Sequence, residues 1–309
     1  MTSHDQNCDI RQLQEAALSG YVDRVRAILL EWRETLGDDK VFAENTVPIL
    51  DEAIERDLAE VVETLLTYQV PMNAELFLKA TRNTSYRILQ AFLHHGWDIN
   101  TPVSPYTPPA LASSFHDRDL TKWFLDHGAN PNQRCNAYRD CTPLSIAFRE
   151  AEPPTIKLLL DYGASLQHGQ VLHYAAMREL DDRLDVLKYL LQEGLPVNDI
   201  MYQNCGDEYY FNMYSGIGTP LHYAAARGLL DSARLLIENG ASPLVKDPAG
   251  KVALEWAEYN GQTNVAEFLR PRSTGHGPET IPQFTAEDGR HFGNVSMEDF
   301  LRESGYQLV

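Results

Sequence analysis

Histidine, cysteine and arginine are the side chains whose recurrence in this chain could do chemistry. His173 and His222 each follow a leucine in the same string, Leu-His-Tyr-Ala-Ala. Such a histidine could serve as a general base or a ligand. A position that recurs signals architecture instead, so both are read as bonding backbone between neighbouring units of a repeat. His94-His95, His116 and His127 stand at expected helix ends near glycines, where imidazole can satisfy last-turn carbonyls. The chain has no H-E-x-x-H and no C-x-x-C, so no metal is assigned. It has no phosphate-cradling glycine loop, no dinucleotide fingerprint and no G-x-S-x-G elbow, so no cofactor and no catalytic residue is assigned. Cys141 precedes a Thr-Pro and has no basic cluster beside it beyond Arg139, which leaves a nucleophilic role unsupported. Nothing positively suggests an enzyme.

The four cysteines, Cys8, Cys135, Cys141 and Cys205, are too few to staple 309 residues and imply a reducing compartment. Cys135 and Cys141 are near enough to face each other across a hairpin, but free thiols are expected there. Lys and Arg number 26 against 44 Asp and Glu, a formal charge of −18. That charge repels phosphate backbones and anionic lipid, so neither nucleic acid nor membrane is an expected partner. An apolar share of 43% with 10% aromatics excludes a disordered chain. No apolar run approaches the ~18 residues of a membrane span. The polar start and the end without a lipidation box lead to an expected cytoplasmic or nuclear location.

The elements that must position these side chains repeat. Two bulky apolar residues precede a glycine turn at Gly96, Gly128, Gly163, Gly194 and Gly240. Thr107-Pro108, Thr142-Pro143 and Thr219-Pro220 each stand 21 residues before one of these glycines, at Gly128, Gly163 and Gly240. Between them a leucine is followed three residues later by alanine, as in Leu144/Ala147 and Leu221/Ala224. This is the pattern of two short antiparallel helices. The first is thin enough for close approach and the second carries the bulky ridge. Thr-Pro caps the first helix, and glycine in the left-handed region stops the second. One unit cannot bury both faces, so units must stack.

TPLHYAAARGLLDSARLLIENGASPL at 219–244 resembles the ankyrin repeat family, with weaker copies at 142–150 and 171–179. The resemblance implies an all-α ankyrin-repeat solenoid of about eight helix-turn-helix repeats with hairpin loops. The expected organisation is an N-terminal tail at 1–9, the array at 10–270, and a linker with a short C-terminal helix at 271–309. Two departures stand out. Gln69 occupies a position where the pattern has glycine, and 199–218 is a tyrosine-rich insertion between repeats.

The resemblance also implies a concave groove made of hairpin tips and first-helix faces. Counting from the repeat threonine, or from Gln170 and Val252 standing in for it, places Tyr106, Phe115, Tyr138, Arg139, Arg149, Met177, Arg178, Arg227 and Tyr259 on that face, with Tyr209, Tyr210 and Tyr214 in the insertion. Tyr, Phe, Met and Arg are types enriched at interfaces. Arg139, Arg149, Arg178 and Arg227 form a row expected to suit an acidic peptide. Neighbouring carboxylates such as Glu150 and Glu179 are the alternative means of neutralising them. If the row is a binding site, removing Arg149 and Arg178 together should weaken binding and leave stability intact. The expectation is therefore a monomeric, non-catalytic adaptor or scaffold that binds an unidentified protein or acidic peptide. The alternative is an enzyme or accessory factor acting on a small molecule in a pocket near 199–218.

Overall fold

The computed structural model describes residues 3–35, 39–104, 108–134, 141–205, 209 and 212–274. Among them are fifteen α-helices, two 3-10 turns and no strand. The chain divides into two compact units, Met1–Ala129 and Asn130–Val309.

In the first unit the helices pair as α1 (Ser3–Leu18) with α2 (Val22–Thr35), α3 (Asp39–Glu55) with α4 (Ala59–Thr67), and α5 (Ala74–Arg82) with α6 (Tyr86–His94). A 3-10 turn at Ala110–Ser113 then pairs with α7 (Arg118–Asp126). It stands where a first helix would, directly after Pro108-Pro109, neither of which has an N–H to donate. In the second unit the pairs are α8 (Pro143–Glu150) with α9 (Pro153–Asp161) and α10 (Val171–Ala176) with α11 (Arg183–Gln192). They continue as α12 (Pro220–Ala226) with α13 (Leu230–Glu238) and α14 (Ala253–Tyr259) with α15 (Thr263–Leu269). First helices touch first helices (α8 to α10 to α12 to α14), while α11, α13 and α15 touch in turn. This is the stacking expected of an all-α repeat solenoid, with eight helical pairs among the described residues.

Residue size dictates which helix does what. Ala147, Ala175, Ala176, Ala224, Ala225 and Ala257 are all but fully buried on the first helices, where a methyl group lets the neighbouring backbone come close. Leu159, Leu190 and Leu236 are fully buried on the second helices. Each such leucine contributes about 1.5–3 kcal/mol by leaving water.

Several second helices stop in one way. Gly163 donates to the Leu160 carbonyl, and Ala164 donates back to Leu159. The same pair of bonds recurs at Gly96, Gly128 and Gly240. It requires a residue with positive φ, and Gly163 has φ +86°. Gln69 makes the same two bonds, with Val70 donating to Leu65, and accepts φ +59° to do so. The geometry is therefore set by the repeat, and glycine is only its easiest occupant.

Candidate interaction surface

The first helices of the second unit place the candidate side chains, and each start is held differently. Thr142 accepts from the Ser145 N–H at 3.3 Å, and its own N–H is met by the Ser145 hydroxyl. At Thr219 the role of Ser145 passes to His222, whose Nδ1 accepts from the Thr219 N–H at 3.1 Å. Val252 has no side-chain acceptor, and its N–H donates instead to Glu255 at 2.8 Å. Gln170 substitutes for threonine by reaching outward: its Oε1 accepts from the Tyr202 N–H at 3.2 Å. It thereby ties α10 to the insertion.

The two recurring histidines are architectural. His173 Nε2 lies 2.8 Å from the Asp199 carbonyl, and His222 Nε2 lies 3.1 Å from the Lys251 carbonyl. Each links one repeat to the next. Burial pulls the His173 imidazole down to about 4, against the opposing pull of its bond to Asp199. Burial also lowers His222, against its bond to Lys251 and the nearby Asp247 and Glu255. Neither ring is poised to exchange protons with a substrate.

A second set of inter-repeat bonds was missed in the sequence. Asn100, Asn132 and Asn198 donate through Nδ2 to the carbonyls of Gly128, Gly163 and Gly240, at 3.1, 2.8 and 2.9 Å. Asn132 and Asn198 also accept from the N–H groups of Ser165 and Ser242. The signal was present, since each asparagine follows a repeat glycine by four residues (Gly96, Gly128 and Gly194).

The arginine row does not survive intact. Arg178 is fully buried. Its Nε and Nη2 grip both oxygens of Asp182 at 2.7 and 2.6 Å, and Nη1 donates to the Phe148 carbonyl at 3.2 Å. It is a bolt between two repeats, not a groove cation. The cause is local: α10 ends at Ala176, and the turn after it brings Asp182 within reach of the guanidinium fork. Arg149 is part-exposed, lies 3.0 Å from Glu150, and sits 5.5 Å from the centre of the Tyr174 ring of the next repeat. Arg227 reaches back across the repeat boundary to Glu179 at 2.6 Å. Neighbouring carboxylates thus neutralise all three, the alternative weighed from the sequence.

The other candidates divide. Tyr214 and Tyr259 project into solvent, 90% and 86% exposed. Met177 and Tyr209 are half-buried. Phe115 is buried inside the first unit and offers little to a partner, a second correction to the expected surface. Tyr106, Tyr138, Arg139 and Tyr210 lie outside the described residues. In the insertion, Ile200, Met201 and Tyr202 are buried, and Met201 closes the loop by donating to the Gly218 carbonyl at 3.0 Å. Tyr223 caps this cluster with a hydroxyl 3.2 Å from the Met201 sulfur. Cys141 is buried, and no helix among the described residues is long and apolar enough to cross a membrane.

The family comparison agrees with this architecture. The ankyrin repeat family matches in three overlapping copies, at residues 76–170, 110–201 and 172–278. The Arabidopsis thaliana chain XBAT34, named as an E3 ubiquitin-protein ligase, is 45% identical over 89 residues, 29% of this chain and 21% of that one. The fowlpox virus (strain NVSL) chain FPV240, named as an ankyrin repeat protein, is 31% identical over 129 residues, 41% of this chain and 28% of that one. This chain thus matches 21% to 28% of the length of these relatives. The human ASB11 ankyrin repeat domain has 21% identity and a TM-score of 0.49, over 75% of this chain and 99% of that one. Stacked helix pairs, positive-φ helix stops, histidines bridging repeats and a match over most of the length establish that the chain belongs to the ankyrin repeat family.

Proposed function

We propose that this chain is a non-catalytic adaptor that recognises a partner protein along the first-helix ends of its second unit, from Arg149 to Tyr259. Ankyrin repeats are generally protein-interaction modules. The observation that carries the reading is the exposure of Tyr214 and Tyr259 in the unit that also presents Arg149 and Arg227. Bare tyrosines beside part-exposed arginines are the composition of a contact surface. Because both arginines already hold carboxylates, an acidic segment would exchange with Glu150 and Glu179 and gain little net charge pairing. The partner surface that fits is therefore apolar at the tyrosines, with carboxylates at its rim. A stack is preformed, so little ordering cost opposes binding. The ligase name of XBAT34 belongs to a chain matched over only about a fifth of its length, so what passes to this protein is recognition. Small-molecule catalysis beside 199–218 is disfavoured because His173 and His222 are committed to backbone.

Affinity purification with the intact chain, repeated with Tyr259→Ala plus Arg227→Ala, tests this. A partner held by the wild type should lose about 2 kcal/mol or more of affinity for the variant, with the thermal melt unchanged. Equal retention by both chains would refute the surface.

A further inference from the structure

Glu63, His94 and His95 converge in the first unit. Glu63 lies on α4, His94 is the last residue of α6 and His95 its C-cap. His95 Nε2 is 2.8 Å from Glu63 Oε1, and His94 Nδ1 is 3.6 Å from the same oxygen. A nitrogen of each ring and a carboxylate oxygen all lie within 4.8 Å of one another. We propose that these three residues form a divalent transition-metal site, for zinc by its donor set, that clamps α4 to α6.

The first argument is convergence. Successive residues of a helix diverge by about 100° because a turn holds 3.6 residues. Here two successive rings reach one carboxylate, with their centroids 5.3 Å apart. One histidine suffices for a hydrogen bond that ties α6 to α4. The second ring turns to the same oxygen although its side chain is 75% exposed, so packing does not hold it there.

The second argument is spacing. Zinc binds imidazole nitrogen and carboxylate oxygen at about 2.0–2.2 Å, so tetrahedral neighbours stand about 3.3–3.6 Å apart. The observed 3.6 Å already fits, the 2.8 Å must open by about 0.5 Å, and the two ring nitrogens stand within 4.8 Å of each other.

The third argument is charge. Among the described residues the ion-pair partners of Glu63 are the two histidines. Nearby Arg87 is engaged with Glu60 at 3.5 Å and Arg26 with Asp23 at 3.1 Å. Two imidazoles and one carboxylate favour zinc, copper(II) or nickel over magnesium and calcium. Glu63 also lines an open cavity of about 610 Å³ with Arg26, Tyr86, Arg87 and Trp123.

Calorimetric titration of zinc chloride into the metal-free full chain tests the proposal. One equivalent should bind, magnesium should not, and zinc should raise the melting temperature. His94→Ala and Glu63→Gln should each weaken that binding at least tenfold and abolish the thermal shift. His94 is exposed, so its removal leaves the fold intact, and an unchanged metal-free melt verifies this. Zinc affinity and stoichiometry unchanged in both variants, or no binding by the wild type, would overturn the proposal.

Discussion

Removing the Arg178 guanidinium separates the observed role of this side chain from the groove role expected of it. Arg178→Ala deletes two charged bonds of 2.7 and 2.6 Å to Asp182 and a third of 3.2 Å to the Phe148 carbonyl. The Asp182 side chain is only 12% exposed, so water cannot replace what is lost. Removing one partner of a buried pair costs about 3–5 kcal/mol, chiefly because the other charge is stranded. Arg149→Ala, by contrast, breaks a part-exposed pair and should cost under ~1 kcal/mol. Urea denaturation followed by circular dichroism reads the difference. With a slope of about 1–3 kcal/mol per molar, Arg178→Ala should lower the midpoint by about 1 M or more. Arg178→Met with Asp182→Leu should recover most of the loss, since apolar replacement of a buried pair is often neutral. A midpoint for Arg178→Ala within ~0.2 M of wild type would refute the assignment of Arg178 as an inter-repeat bolt.

Leu159→Ala and Leu236→Ala should each cost about 2–5 kcal/mol through cavities in the second-helix ridge, read by thermal melts. At the helix stops the sign should depend on the resident residue. Gly163→Val is expected to lose about 1–2 kcal/mol, although no atom lies within 4 Å of the added Cβ, because the penalty is in the backbone. Gln69→Gly should gain up to ~1 kcal/mol at φ +59°, and paired urea titrations of the two variants check this. Stability should also fall on acidification. The unfolded chain binds a proton near pH ~6.5 that native His173 takes up only near about 4, so the stabilisation is complete above that window and fades within it. The loss amounts to roughly 3 kcal/mol, and His173→Asn should flatten the dependence of the urea midpoint on pH between about 7.5 and 4.

The repeat was legible in the residues because local rules write it. Thr-Pro starts, alanine faces, leucine ridges and glycine stops each act within one or two helical turns, and the same 21-residue offset recurs three times. These rules put glycine in the left-handed region at the helix stop and His173 and His222 on backbone between repeats, as the structure has them. The direction of a long side chain is not a local property. Counting places Arg149, Arg178 and Arg227 at equivalent positions, yet one turns inward, one pairs within its own helix and one pairs across a repeat boundary. What decided this was the carboxylate that the fold delivered to each, Asp182 from the same turn, Glu150 next in sequence, and Glu179 from 48 residues away. The Glu63, His94 and His95 cluster was hidden for the same reason. His94-His95 alone reads as helix-end capping, and only the packing of α4 on α6 brings in a carboxylate from the preceding repeat. Periodicity determines where backbone goes, whereas contacts between repeats decide which charges meet, because Coulomb and hydrogen-bond terms depend on distance in space and not along the chain.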